Sequence, residues 1–125
     1  MDLRKVQAVL NEAEENFMGG MVACDVFNRR TGMPIANIRG NPKACALFNF
    51  LAERINESVS KSHLSLPDDF EQLMISFPQG LMMFMINLND EYRWGVLVNT
   101  AKASMGIAVS VVFPTSVPEL RTALS

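Results

Sequence analysis

The run Leu81-Met82-Met83-Phe84-Met85-Ile86 carries no polar residue on either of its alternating faces. Successive side chains of a strand point to opposite sides, so such a strand needs apolar cover above and below. Turn formers bracket it, Pro78-Gln79-Gly80 before and Asn89-Asp90-Glu91 after. Phe70 to Phe77 reads as the strand entering the first turn, Leu81 to Leu88 as the central one, and Tyr92 to Val98 as the strand leaving the second. On that last strand Tyr92, Trp94, Val96 and Val98 share one face, which points to core packing. These residues predict an antiparallel sheet with helices on each side.

The flanking segments supply those helices. Over residues 2–17, Leu3, Val6, Leu10, Ala13 and Phe17 recur at three- and four-residue steps, with Asp2 as N-cap and Gly19-Gly20 as the stop. Met21 to Asn28 and Met33 to Ile38 read as a hairpin around Thr31-Gly32. Pro34 restricts the returning strand to a sheet edge, or to carrying the proline as its first residue. Asn41-Pro42 opens the clearest helix, with an apolar stripe of Ala44, Leu47, Phe48, Leu51, Ile55 and Val59. Lys43, Phe50, Arg54, Glu57 and Lys61 lie off that stripe. Phe50 is a large apolar group among charges, and Ala46 and Leu47 widen its patch, which suggests a contact surface. Met105 to Phe113 is β-branched, yet Ser104 and Pro118-Glu119-Leu120 favour a helix, broken near Pro114. The expected order is α-β-β-α-β-β-β-α, an α+β fold, in one domain over residues 1–125.

Composition narrows the function classes. The chain has 125 residues, 49% hydrophobic and 19% charged, with a net charge of −2. That is globular composition without the basic stripe of a nucleic-acid binder. No apolar run approaches the length of a membrane span, and the charged start is unlike a signal peptide, so a soluble, cytoplasmic protein is expected. Cys24 and Cys45 are the only cysteines and form no C-x-x-C pair, which points to buried hydrophobes rather than a disulfide or zinc site. The single histidine, His63, sits in a polar loop without nominated partners. The adjacent pairs Asp68-Asp69 and Glu14-Glu15 point apart. Gly19-Gly20 lacks the spacing of a nucleotide-binding loop. No cofactor, metal or catalytic residue is nominated, and an enzyme is not expected. Met74, Met82, Met83 and Met85 read as core, with a groove as the other use of methionine.

The order of elements and several strings resemble the Roadblock domain family, over about residues 3–124. The strings are Gly20-Met21-Val22-Ala23-Cys24-Asp25 leading into Thr31-Gly32-Met33-Pro34-Ile35-Ala36, the long helix from Asn41, the strand-turn-strand around Pro78-Gln79-Gly80, and Met105-Gly106-Ile107-Ala108-Val109 followed by Pro118-Glu119-Leu120. The resemblance implies a profilin-like, five-stranded antiparallel sheet, with one long helix on one face and two helices on the other. It further implies a homodimer in which the strand at about Phe70–Phe77 pairs with its copy and the long helices lie side by side. Ala46, Phe50, Leu73, Ile75 and Phe77 are the interface residues this implies. It also implies a non-catalytic regulator or scaffold for a small Ras-like GTPase, or a light chain of a motor complex, with Lys43, Phe50, Arg54 and Glu57 as partner-binding residues. The competing expectation is a small-molecule sensor of the PAS or GAF type, with methionine-rich strands lining a pocket.

Overall fold

The computed structural model describes residues 1–125. Its elements are α1 (Leu3–Asn16), β1 (Met21–Asn28), β2 (Pro34–Ile38), α2 (Pro42–Lys61), β3 (Gln72–Ser76), β4 (Leu81–Asn87), β5 (Tyr92–Asn99), α3 (Met105–Ile107), a π turn (Ala108–Val112) and α4 (Phe113–Leu124). The five strands form one antiparallel sheet in the order β2-β1-β5-β4-β3. This is the α+β architecture that the apolar strand demanded.

Local signals act where the sequence places them. Asp2 caps α1 by accepting from the Lys5 amide at 3.2 Å, and Asn41 caps α2 through the Lys43 amide at 2.9 Å. Pro34 is the first residue of β2, an edge strand. Gly20 admits β1 beside Ala103, since a Cβ there would lie 2.3 Å from the Ala103 Cβ.

The C-terminal segment departs from expectation. The chain does not break at Pro114; α3, the π turn and α4 run on with right-handed helical backbone. The Phe113 amide reaches back five residues to the Ala108 carbonyl. The ladder therefore widens just before the residue that cannot donate, and the proline enters in the first turn of α4. The Arg121 side chain then ties α4 to the end of β4 by donating to the carbonyls of Leu88 (2.9 Å) and Asn87 (3.1 Å).

The two faces of the sheet are packed by different physics. On the α1/α4 side Phe113 sits among Phe17, Phe84 and Trp94, with edge-on rings 6.0, 5.0 and 5.6 Å away. Val6, Leu10, Val26, Val96, Val98 and Leu120 close around them, all fully buried. Burial of such side chains contributes about 1.5–3 kcal/mol each.

On the α2 side a polar clamp is set among buried apolar residues, Phe27, Ala52, Met83 and Met85. Arg93 of β5 has no exposed surface. Its guanidinium donates to Asn87 (2.6 Å), Asn49 (2.8 Å) and Glu53 (2.8 Å), and lies 5.4 Å from the Phe70 ring centre. Burial pulls the guanidinium below its ordinary value, and the Glu53 carboxylate opposes the change. Nearby, Asp69 holds Arg29 at 3.0 Å, Asn56 at 2.7 Å and Asn87 at 2.8 Å. The sheet-facing residues of α2 are accordingly Cys45, Asn49 and Ala52. The apolar stripe expected to face the core lies about a quarter turn round the helix, at about 100° per residue.

Under the start of α2, Asp25 is buried, and Gly40 packs so close that a Cβ there would stand 2.0 Å from its Oδ1. Burial raises the Asp25 carboxyl above its ordinary value, against the smaller opposing influence of Cys45 and the Asn41 amide. Cys45 and Cys24 are both held as neutral thiols, pushed up to about 12 and about 11 respectively, with burial the largest cause in each case.

Two outcomes follow from these contacts. Arg93→Ala strands Asn49 and Asn87 and should cost on the order of 3 kcal/mol in urea unfolding. Glu53→Gln, at a half-exposed partner, should cost less than about 1 kcal/mol; equal losses would sink the clamp. For Asp25, the folded protein binds the proton more tightly than the unfolded chain, so this residue's contribution to stability falls as pH rises above the usual carboxylate range. Asp25→Asn removes that titration. The variant should gain on the parent as pH rises above the usual carboxylate range, read by thermal unfolding in matched buffers. A pH-independent difference would contradict it.

Candidate functional site

Because α2 is anchored through Asn49 and Glu53, its apolar stripe is left on the flank. Leu47 is 54% exposed and Leu51 36%, while Phe48, Ile55 and Val59 are half-buried. Sequence periodicity assigned this stripe to the core. The signal it could not register is the polar pair Asn49 and Glu53, four residues apart, facing a buried arginine.

The flank overlooks β3. Leu51, Arg54, Ile55, Ser58 and Val59 of α2, with Ile75 of β3, line one groove, Arg54 at its outer rim. Leu73 and Ile75 are half-buried and Phe77 is 40% exposed. β3 is an outer strand of the sheet, so one of its backbone edges has no strand partner within the chain. It is also shorter than the segment read from sequence, because pairing with β4 runs only from Gln72 to Ser76.

The residues nominated for partner binding gather on the side of α2 that faces away from the sheet. Lys43 and Ala46 are exposed, and Phe50 is 57% exposed. The Arg54 guanidinium lies 5.1 Å from the Phe50 ring centre and 3.2 Å from Glu57. Lys61 approaches Glu57 from the next turn at 2.6 Å. The Glu57 carboxyl is held below its ordinary value by the Lys61 hydrogen bond first and by the Arg54 charge second. Helical spacing of four brings Phe50 and Arg54 together, and spacing of three and four joins Glu57 to Arg54 and Lys61. Ala46 and Phe50 thus share a face with Arg54, while Leu73, Ile75 and Phe77 stand on the neighbouring strand. Leu47, which the sequence set beside Phe50 as part of a contact patch, is exposed on the flank, and so is Leu51, which the sequence did not nominate.

Groups suited to bond-making are scattered. His63 is exposed in the loop after α2, the two thiols are buried, and no three His, Cys, Asp or Glu side chains gather as metal ligands. No helix is long and apolar enough to cross a membrane. The surface offers an apolar stripe, a strand edge and a charged rim, the ingredients of a protein contact.

No protein-family model matches the sequence, and no curated protein is significantly similar to it. Solved structures do match in fold. Myxococcus xanthus MglB aligns with a TM-score of 0.78 at 11% identity, covering 98% of this chain and 89% of that one. The gliding protein MglB from Thermus thermophilus aligns at 0.73 and 13% identity, covering 96% and 88%. A Roadblock/LC7 domain from Streptomyces avermitilis aligns at 0.66 and 11% identity, covering 94% and 96%. Over nearly its whole length, this chain has the fold shared by the MglB and Roadblock/LC7 domain proteins.

Proposed function

We propose that the chain is a non-catalytic, cytoplasmic homodimeric module that regulates or scaffolds a small Ras-like GTPase, or a motor or scaffold complex, through paired α2 helices. The observation that carries this reading is the α2 flank. Leu47 and Leu51 are exposed on the flank, and Ile75 of the edge strand lines the groove beside Leu51, with Leu73 on the same face of the strand and Phe77 just beyond its end. Antiparallel pairing of β3 with its copy would close both edges at once, in a symmetric contact where each chain offers the same patch. The two α2 helices would then cover each other's stripe. The fold shared with MglB and the Roadblock/LC7 domain agrees with this use.

Pairing by the flanks leaves the far side of each α2 outward. Lys43, Phe50, Arg54 and Glu57 would there form a two-sided platform with an aromatic centre and charged rim. A partner that prefers one conformation of its switch loop on that platform shifts the loop's equilibrium by its differential affinity, with no nucleophile supplied. Arg54 lies beside Phe50 and Glu57 on this surface, and no arginine finger is nominated.

Light scattering at micromolar concentration should report a dimer for the parent. Ile75→Asp buries an unpaired charge in the proposed strand pair and should give monomers. Leu47→Glu lies on surface already exposed within the chain, so it should weaken the dimer without unfolding the monomer. A parent-like dimer in both variants would sink the interface. Phe50→Glu should abolish capture of a nucleotide-loaded Ras-like GTPase in a pull-down; undiminished capture would remove Phe50 from the platform.

A further inference from the structure

Between the first two turns of α2 and the sheet lies an apolar cavity of about 380 Å3. It opens to solvent on one side, and its volume falls within the range of small-molecule pockets, roughly 300–1,000 Å3.

Small residues create it. Ala23 lines it on β1, Ala44 on α2 and Gly95 on β5. Gly95 lies outside the left-handed region, so its backbone does not require glycine. A Cβ at that position would meet only the edge of the Phe27 ring, at 3.3 Å. A glycine within a strand that needs no unusual backbone marks a place where something approaches the sheet closely. Met83 and Leu97 add to the apolar lining.

One polar group breaks the lining. Asp25 is 8% exposed, and its Oδ1 is buried with no hydrogen-bond partner. Its other oxygen accepts a long bond, 3.4 Å from the Asn41 amide, and the Cys45 thiol lies within hydrogen-bonding reach of the carboxyl. A buried carboxyl satisfied only by one long bond and a weak thiol donor is costly. A ligand that fills the apolar space and brings a donor to this carboxyl would relieve both defects.

We propose that this cavity is a binding site for a small amphiphile, an apolar chain or ring ending in an amine or hydroxyl that donates to Asp25. The site lies on the sheet side of α2, away from Lys43, Phe50, Arg54 and Glu57, so it is separate from the partner-binding platform. Phe77 lines the cavity and also stands in the proposed dimer contact. A second copy of the chain is therefore the rival occupant.

The test uses the full chain with its methionine methyl groups labelled with carbon-13. Met83 reports from the cavity, and the exposed Met18 and Met33 serve as controls. Hexylamine and 1-hexanol should each move the Met83 signal saturably, with Kd near about 1 mM, and leave the controls in place. Hexanoate, which would set one carboxyl against another, should not. Asp25→Asn should weaken hexylamine by about ten-fold or more, and Ala44→Phe should abolish binding by filling the space. Absence of any Met83 shift, or an equal response to hexanoate, would overturn the proposal. So would a Met83 signal that moves only when the dimer is diluted apart. Light scattering on the same samples reads the dimer on its own, so failure of either idea leaves the other separately measured.

Discussion

A fully buried guanidinium decides how this molecule presents itself. Arg93 projects from the middle of the sheet, and its donors must be met by something. Asn49 and Glu53 of α2 meet those of Nη1 and Asn87 from the sheet meets Nε, while Nη2 is buried without a hydrogen-bond partner. The rotation of α2 about its axis is set by that demand. Once Asn49 faces the sheet, Leu47 and Leu51 cannot. The polar clamp is thus the reason that apolar surface stands exposed on this helix. A long helix held by hydrophobic burial alone would have turned its stripe inward.

The opposite face follows the ordinary rule. There the α1 stripe and α4 bury Trp94, Phe84 and Phe113 in an apolar core, with Arg121 fastening α4 at its rim. The division of labour is physical. One face supplies most of the hydrophobic stabilisation, which frees the other to carry a polar clamp, a cavity and an uncovered flank. Surfaces for binding come from places where packing is left incomplete, since a fully satisfied surface has nothing further to gain from a partner.

The β3 edge and the α2 flank are two unfinished features beside one another. Either alone is common in monomeric proteins. Together they present unpaired backbone groups and apolar side chains over the same groove, and a symmetric contact would answer both. The platform around Phe50 and Arg54 is different in kind, because its charges are already paired along the helix and its aromatic ring is capped by a cation.

Sequence alone determined the elements. The turns at Pro78-Gln79-Gly80 and Asn89-Asp90-Glu91, the caps at Asp2 and Asn41, and the two-faced apolar run from Leu81 act through local geometry, so they are legible one residue at a time. The grouping of Phe50, Arg54 and Glu57 was legible for the same reason, being set by helical spacing. Tertiary structure decided the rest. Which side of α2 meets the sheet depends on Arg93, which is 44 residues from Asn49 in the chain. Pro114 passes without a break because the helix widens into a π turn just before it and Phe113 is anchored in the core by Phe84. The cavity exists because Ala23, Ala44 and Gly95, unremarkable singly, converge from three elements. Each of these depends on contacts between distant residues, and periodicity along one segment carries no record of what a neighbouring segment will ask of it.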